Sequence, residues 1–167
     1  MYLYQGFWCF ESMFEGTISF QTHFQAHDTD IILTSLQKTG TTWLKSLLFS
    51  IVNRKNISHV SQHPLRSKNP HELVPQLELD LQPWTQNRYC ISNIPSPRLF
   101  ATHIPYPSLP DSVKNSRCRI VYVCRNPLDT FVSLWHFYLQ FEENKNIEPN
   151  KEMMEEVFGN YCIRIIY

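Results

Sequence analysis

Apolar and polar positions alternate in blocks along this chain, and the clearest block pair lies between Asp30 and Asn53. Ile31-Ile32-Leu33, followed by Thr34-Ser35-Leu36, has the length and composition of a buried strand. A polar turn, Gln37 to Thr42, follows it. Apolar residues then recur at Trp43, Leu44, Leu47, Leu48, Ile51 and Val52, which predicts one stripe of an amphipathic helix. A second unit of the same kind comes later. Cys118 to Cys124 is a near-continuous apolar run expected to be a central parallel strand. Arg125-Asn126-Pro127 breaks it, and Leu128, Phe131, Val132, Trp135, Tyr138 and Leu139 return at helical spacing, with Pro127 in the first turn.

Between these units, Arg98 to Thr102 predicts another strand, ending at His103 and bracketed by Pro95, Pro97, Pro105, Pro107 and Pro110. Phe14 to Phe24 predicts a helix. The aromatics of Met1 to Phe24 show no sustained period and are expected mainly to pack a leading segment onto the domain. Arg54 to Leu73 reads as a long surface connection, and His59, His63 and His71 within it as solvated loop histidines, since their spacing lacks companion metal ligands. Pro75 to Arg88 continues irregularly, and Glu142 to Lys151 reads as a charged loop. Asn150 is expected to cap a last helix, Lys151 to Tyr161. Strands alternating with helices predict an α/β fold built on a parallel sheet.

Composition narrows the function classes. The chain has 167 residues with 43% hydrophobic and 14% aromatic content, which suits a single folded domain. Lys+Arg and Asp+Glu both number 15, so any anion site must be local, and bulk nucleic-acid binding is not expected. Five cysteines without a CxxC pair predict buried, reduced thiols. No apolar run approaches membrane-spanning length and no signal peptide opens the chain, so a cytoplasmic protein is expected. Asn56-Ile57-Ser58 matches a glycosylation sequon by chance on that reading.

The turn Gln37-Lys38-Thr39-Gly40-Thr41-Thr42 carries the candidate chemistry. After a strand and before a helix, its amides and the helix N-terminus converge on one anion site, to which Lys38 adds charge and the threonines add hydroxyls. The GxxxxGK[ST] pattern of nucleoside triphosphatases is not met, because the glycine follows the lysine. A helix capped by Thr41 or Thr42, beside an exposed Lys, is the plain alternative for the loop alone. His103 and Arg125 both stand at C-terminal strand ends, where such folds bind ligands, and Ser133 lies about two helical turns beyond Arg125.

Three motifs stand in order: KTGTTW at Lys38–Trp43, LFATHIPY at Leu99–Tyr106 and YVCRNPLDTFVS at Tyr122–Ser133. With YQGFW at Tyr4–Trp8 and FQAHDTDIIL at Phe24–Leu33, they closely resemble the cytosolic sulfotransferases, particularly the plant branch acting on flavonols and other hydroxylated compounds. The resemblance implies a P-loop-like parallel sheet flanked by helices. It implies transfer of a sulfuryl group from 3′-phosphoadenosine 5′-phosphosulfate (PAPS) to a small acceptor hydroxyl, with no metal. By the same resemblance, Lys38, Thr39, Gly40, Thr41 and Thr42 would cradle the 5′-phosphosulfate and Lys38 would stabilise the leaving oxygen. Trp43 would lie against the adenine, Arg125 and Ser133 would hold the 3′-phosphate, and His103 would be the base.

This sequence departs from the family's pattern in places. Gln37 replaces the usual Pro before the loop Lys, and Ala101 stands where animal members have a second Lys. The family's C-terminal half, with further 3′-phosphate contacts and its homodimer segment, has no counterpart after Cys162. The expectation is therefore a single partial domain over residues 1–167, incomplete at its C-terminal side. The alternative function is a non-catalytic truncated remnant with weak or no nucleotide binding. A P-loop kinase or GTPase fits less well, given the missing triphosphatase pattern and the Arg125/Ser133 pair.

Overall fold

A computed structural model describes residues 2–57, 59–80 and 91–143, with isolated positions between 152 and 159. The expected last helix from Lys151 to Tyr161, its cap Asn150, and Cys90 and Cys162 lie wholly or largely outside the described residues.

A three-stranded parallel sheet carries the fold, in the order β4-β3-β5. β3 spans Ile31–Ser35, β4 Leu99–Thr102 and β5 Arg119–Val123. Register aligns Ile31 with both Leu99 and Arg119, so the three strands end together. Side chains alternate between two cores, as they must in a sheet covered on both faces. Ile32 and Phe100 join Phe20 and Phe24 of the first core, which includes α1 (Glu11–His23). Leu33, Leu99 and Ala101 form the second core with Val74, against Leu44, Leu48 and Phe49 of α2 (Thr41–Val52).

Two expectations change here. β3, not β5, is the central strand; β5 pairs on one side among the described residues, and Ile120 and Tyr122 on its α1-side face are exposed. Its continuous apolar run reflects partial burial of Val121 and Val123 against the second core, which alone does not make a strand central. The stripe on α2 is also split. Leu44, Leu48 and Phe49 face the sheet, whereas Trp43, Leu47 and Ile51 form an exposed row. Lys45 takes a fully buried place on the inner face. Apolar periodicity could not rank two adjacent rows of one helix.

The leading segment also has more order than its composition suggested. β1 (Tyr2–Tyr4) and β2 (Phe7–Cys9) form an antiparallel hairpin. Gln5 and Gly6 turn it with φ of 48° and 81°, a geometry that matches the twist of two-residue hairpins. Tyr4 donates its hydroxyl to Gln21 Oε1 at 2.8 Å and packs edge-on to Phe14, which fixes the hairpin to α1.

Beyond α2 the connection contains short 3₁₀ turns at Val60–Gln62 and Pro64–Arg66, then α3 (Pro70–Leu73) and α4 (Leu77–Asp80). Gln76 bridges to Ala101 and covers the outer edge of β4. α5 (Asp111–Lys114) precedes β5. α6 (Pro127–Glu143) follows it, with Pro127 in its first turn and Asn126 Oδ1 accepting from the Leu128 amide at 2.9 Å. It runs past Glu142, where a loop was expected. Cys9, Cys118 and Cys124 are free thiols, but only Cys9 is buried and Cys124 is exposed. No helix among the described residues is long and apolar enough to cross a membrane.

Candidate active site

The turn after β3 is built around two left-handed residues. Lys38 has φ 62°, strained for a residue with a Cβ, and Gly40 has φ 109°. Gly40 is the N-cap of α2 and makes no side-chain cap; the helix's first bond runs from the Leu44 amide to the Gly40 carbonyl at 3.0 Å. The amides of Thr41, Thr42 and Trp43 precede that bond and have no carbonyl one turn back. They give the turn its anion-attracting end. A Cβ on Gly40 would meet no atom within 4 Å. Gly40→Ala is therefore expected to cost only the backbone strain, about 1–2 kcal/mol, read as a lower urea midpoint with unchanged slope.

The threonine hydroxyls of the turn also make bonds within the protein. Neither Thr41 nor Thr42 caps α2. Thr39 is buried and its hydroxyl donates to the Leu36 carbonyl at 2.7 Å, so it braces the turn from inside. Thr41 Oγ1 pairs with Ser35 Oγ at 2.7 Å, tying the helix to the strand end. Thr42 Oγ1 lies 3.0 Å from His71 Nε2.

A cleft of about 630 Å³ opens at this turn. Lys38, Gly40, Thr41, Thr42, Trp43, His103, Arg125 and Ser133 all line it; of the sequence-predicted residues only Thr39 does not. Arg125 Nη1 donates to the Lys38 carbonyl at 3.4 Å, so Arg125 stands beside the Lys38 turn and both residues line the one cleft. Lys38 Nζ sits 4.3 Å from the centre of the Phe137 ring, a cation–π contact that holds the ammonium at the rim. Trp43 is 68% exposed and so offers a ring face rather than filling the core.

His103 is half-buried, just past the end of β4. Its Nδ1 lies 2.7 Å from the Ser35 carbonyl at the end of β3. A carbonyl only accepts, so Nδ1 carries a proton, and in the neutral ring Nε2 keeps the lone pair. The His103 amide donates to Glu78 Oε1 at 2.7 Å, and Gln76 Nε2 donates to the same oxygen at 2.7 Å. Glu78 is fully buried on α4, and its Oε2 has no hydrogen-bond partner.

Two further cavities reach His103. One of about 330 Å³ is lined by Phe7, Trp8, Phe10, Met13, Ile104 and their neighbours. The other, of about 530 Å³, lies between Leu36, Ile104, Tyr106, Ile120 and Tyr122. The imidazole thus stands where a cationic cleft meets apolar space. The hairpin aromatics, expected as packing, form a wall of that space.

Sequence reasoning missed Phe137, Glu78, Lys45 and His71. His71 is exposed, but its ring is paired on both nitrogens, unlike the solvated histidine expected. Burial pulls the Lys45 amine down from its ordinary range to about 8, against the opposing pull of Glu78 and Asp80. The signal for Lys45 was weak: it falls one position after Leu44 and three before Leu48, at the edge of the expected apolar stripe of α2.

Comparison with known proteins agrees with the motifs. Residues 28–167 match the sulfotransferase domain. The chain belongs to the sulfotransferase family. Cytosolic sulfotransferase 13 of Arabidopsis thaliana is 51% identical over 97% of this chain, and cytosolic sulfotransferase 12 of the same plant is 49% identical over 95%. Those alignments take in 47% and 48% of the two relatives, so this sulfotransferase chain spans about half their length. A crystal structure of an Arabidopsis thaliana putative steroid sulphotransferase superposes with a TM-score of 0.78 at 43% identity, over 96% of this chain and 53% of that one. A mouse sulfotransferase complexed with PAP superposes at 0.56 with 28% identity, over 82% of this chain and 43% of that one.

Proposed function

We propose that this chain carries the sulfuryl-donor site of a PAPS-dependent sulfotransferase, acting on a hydroxyl of a small apolar acceptor such as a flavonol or steroid in the cytosol. One observation carries the reading: His103 lines both the Lys38/Arg125 cleft and the apolar cavities beside it. A base belongs at that junction, between an anionic donor and a hydrophobic acceptor.

The residues present fit the donor. Its two anionic ends need separate positive fields. The turn amides and Lys38 supply one, and Arg125 with the Ser133 hydroxyl supplies the other. The exposed ring of Trp43 offers a face for the adenine. PAPS brings an activated sulfuryl group; the protein's part is positioning and charge stabilisation, as in phosphoryl transfer. In this reading, Lys38 neutralises the oxygen that leaves with the nucleotide. His103 Nε2 removes the acceptor proton, held in register by its Nδ1 contact with Ser35.

Calorimetry with adenosine 3′,5′-bisphosphate and the purified chain tests the donor half. Saturable binding is expected, weakened about tenfold or more in Lys38→Ala, since charge-assisted hydrogen bonds contribute roughly 1.5–3 kcal/mol. Equal affinity in the variant would count against the assignment.

A second reading, a remnant that holds nucleotide without turnover, is favoured by Ile120 and Tyr122. These line the acceptor-side cavity yet are exposed, so that cavity admits water. Transfer of labelled sulfuryl groups from PAPS to a panel of phenols decides between the two.

A further inference from the structure

A line of polar contacts behind the cleft ends on one of its lining hydroxyls. Lys45 is fully buried on the inner face of α2. Its Nζ donates to the Val74 carbonyl at 3.0 Å and lies 3.2 Å from His71 Nδ1. The other ring nitrogen, Nε2, is 3.0 Å from Thr42 Oγ1. An ammonium has hydrogens to give and no lone pair to offer. His71 Nδ1 must therefore accept from Lys45, which leaves the ring proton on Nε2. That proton goes to the Thr42 oxygen, and the Thr42 hydroxyl hydrogen is left for a different acceptor. Thr42 and His71 both line the 630 Å³ cleft.

We propose that Lys45 and His71 are positioning residues: Lys45 fixes the tautomer of His71, and His71 turns the Thr42 hydroxyl hydrogen toward the 5′-phosphate end of the nucleotide in the cleft. This rests on the donor-site reading of that cleft. In the opposite tautomer, His71 Nε2 would take the Thr42 hydrogen for itself and present the ligand with an oxygen lone pair, which repels an anion.

The charge state of Lys45 controls the relay. The titratable groups facing it are His71 on α3 and Glu78 and Asp80 on α4; His103 also faces His71. Burial and the charges of Lys45 and His103 lower the His71 pKa, which keeps its ring neutral near pH 7. Lys45, held at about 8, loses its proton as pH rises past that value. A neutral amine can accept as well as donate, so the His71 tautomer is then no longer imposed.

The test is calorimetry of adenosine 3′,5′-bisphosphate binding to the full chain from pH 6.5 to 9.5. Affinity of the unaltered chain is expected to fall about tenfold across pH 8, the worth of roughly one hydrogen bond. Lys45→Met should bind weakly throughout and show no step near pH 8. His71→Leu should lose a similar factor. His71→Gln should recover most of it, because an amide can accept from Lys45 and donate to Thr42. Nitrogen-15 spectra of His71 in the unaltered chain should show the proton on Nε2 at pH 7, a readout independent of any variant's folding.

A proton on Nδ1, a pH step that survives in Lys45→Met, or unchanged binding by His71→Leu overturns the relay. If binding is lost in Lys38→Ala but insensitive to Lys45 and His71, only the relay falls. If the unaltered chain does not bind the nucleotide at all, the donor-site reading falls and the relay with it.

Discussion

Asp30→Ala is expected to cost about 3–5 kcal/mol of unfolding free energy, the cost typical of removing one partner from a buried ion pair. Asp30 is fully buried and Arg98 nearly so. The pair is bidentate: Arg98 Nε donates to Asp30 Oδ1 at 2.8 Å and Nη2 to Oδ2. Nη2 also donates to the Gln25 carbonyl at 2.9 Å, and the His27 amide donates to Asp30 Oδ2 at 2.8 Å. The guanidinium lies 5.7 Å and 5.2 Å from the ring centres of Phe24 and Phe100. Without Asp30 that charge remains in the core with one carbonyl and two rings for company. Domains hold only about 5–15 kcal/mol in all, so the variant should denature at much lower urea. A midpoint within experimental error of the parent would show that the pair contributes little. The double replacement Asp30→Leu with Arg98→Met should recover much of the loss, because no unpaired charge then stays buried.

The second large effect concerns turnover. On the proposed reading of the site, His103→Gln is expected to reduce sulfuryl transfer to a phenol by about 10²–10⁴-fold, the usual contribution of a positioned general base. Glutamine can still donate to the Ser35 carbonyl but cannot take a proton. Affinity for adenosine 3′,5′-bisphosphate should change little, since the groups placed on the nucleotide lie on other elements. Assays of transfer beside calorimetry of binding separate the two quantities. A variant that keeps most of its rate removes His103 from the base role.

Much of this arrangement was legible in the residues. The strand–turn–helix units around Lys38 and Arg125 were visible because a turn between periodic blocks is a local property. His103 was placed by where its strand had to stop. What was not legible depended on contacts distant in sequence. Asp30 and Arg98 are 68 positions apart, and nothing in either neighbourhood marks them as partners. Lys45 was hidden for a related reason: one lysine on a helix is ordinarily solvated, and its burial follows from Val74 and His71 arriving from another segment. The bonds of the Thr39 and Thr41 hydroxyls to Leu36 and Ser35 were not legible from residue type either. Which row of α2 faces inward was decided by sheet packing, and among the described residues β5 lies at the flank with β3 paired to both other strands.

The Asp30–Arg98 latch closes the end of the sheet where its strands begin, while Lys38, His103 and Arg125 gather where they finish. Robustness and reactivity are thereby assigned to opposite poles. Accumulated changes in the finishing loops can reshape the cleft while the latch keeps the scaffold intact, so the binding end can drift without the fold first becoming fragile.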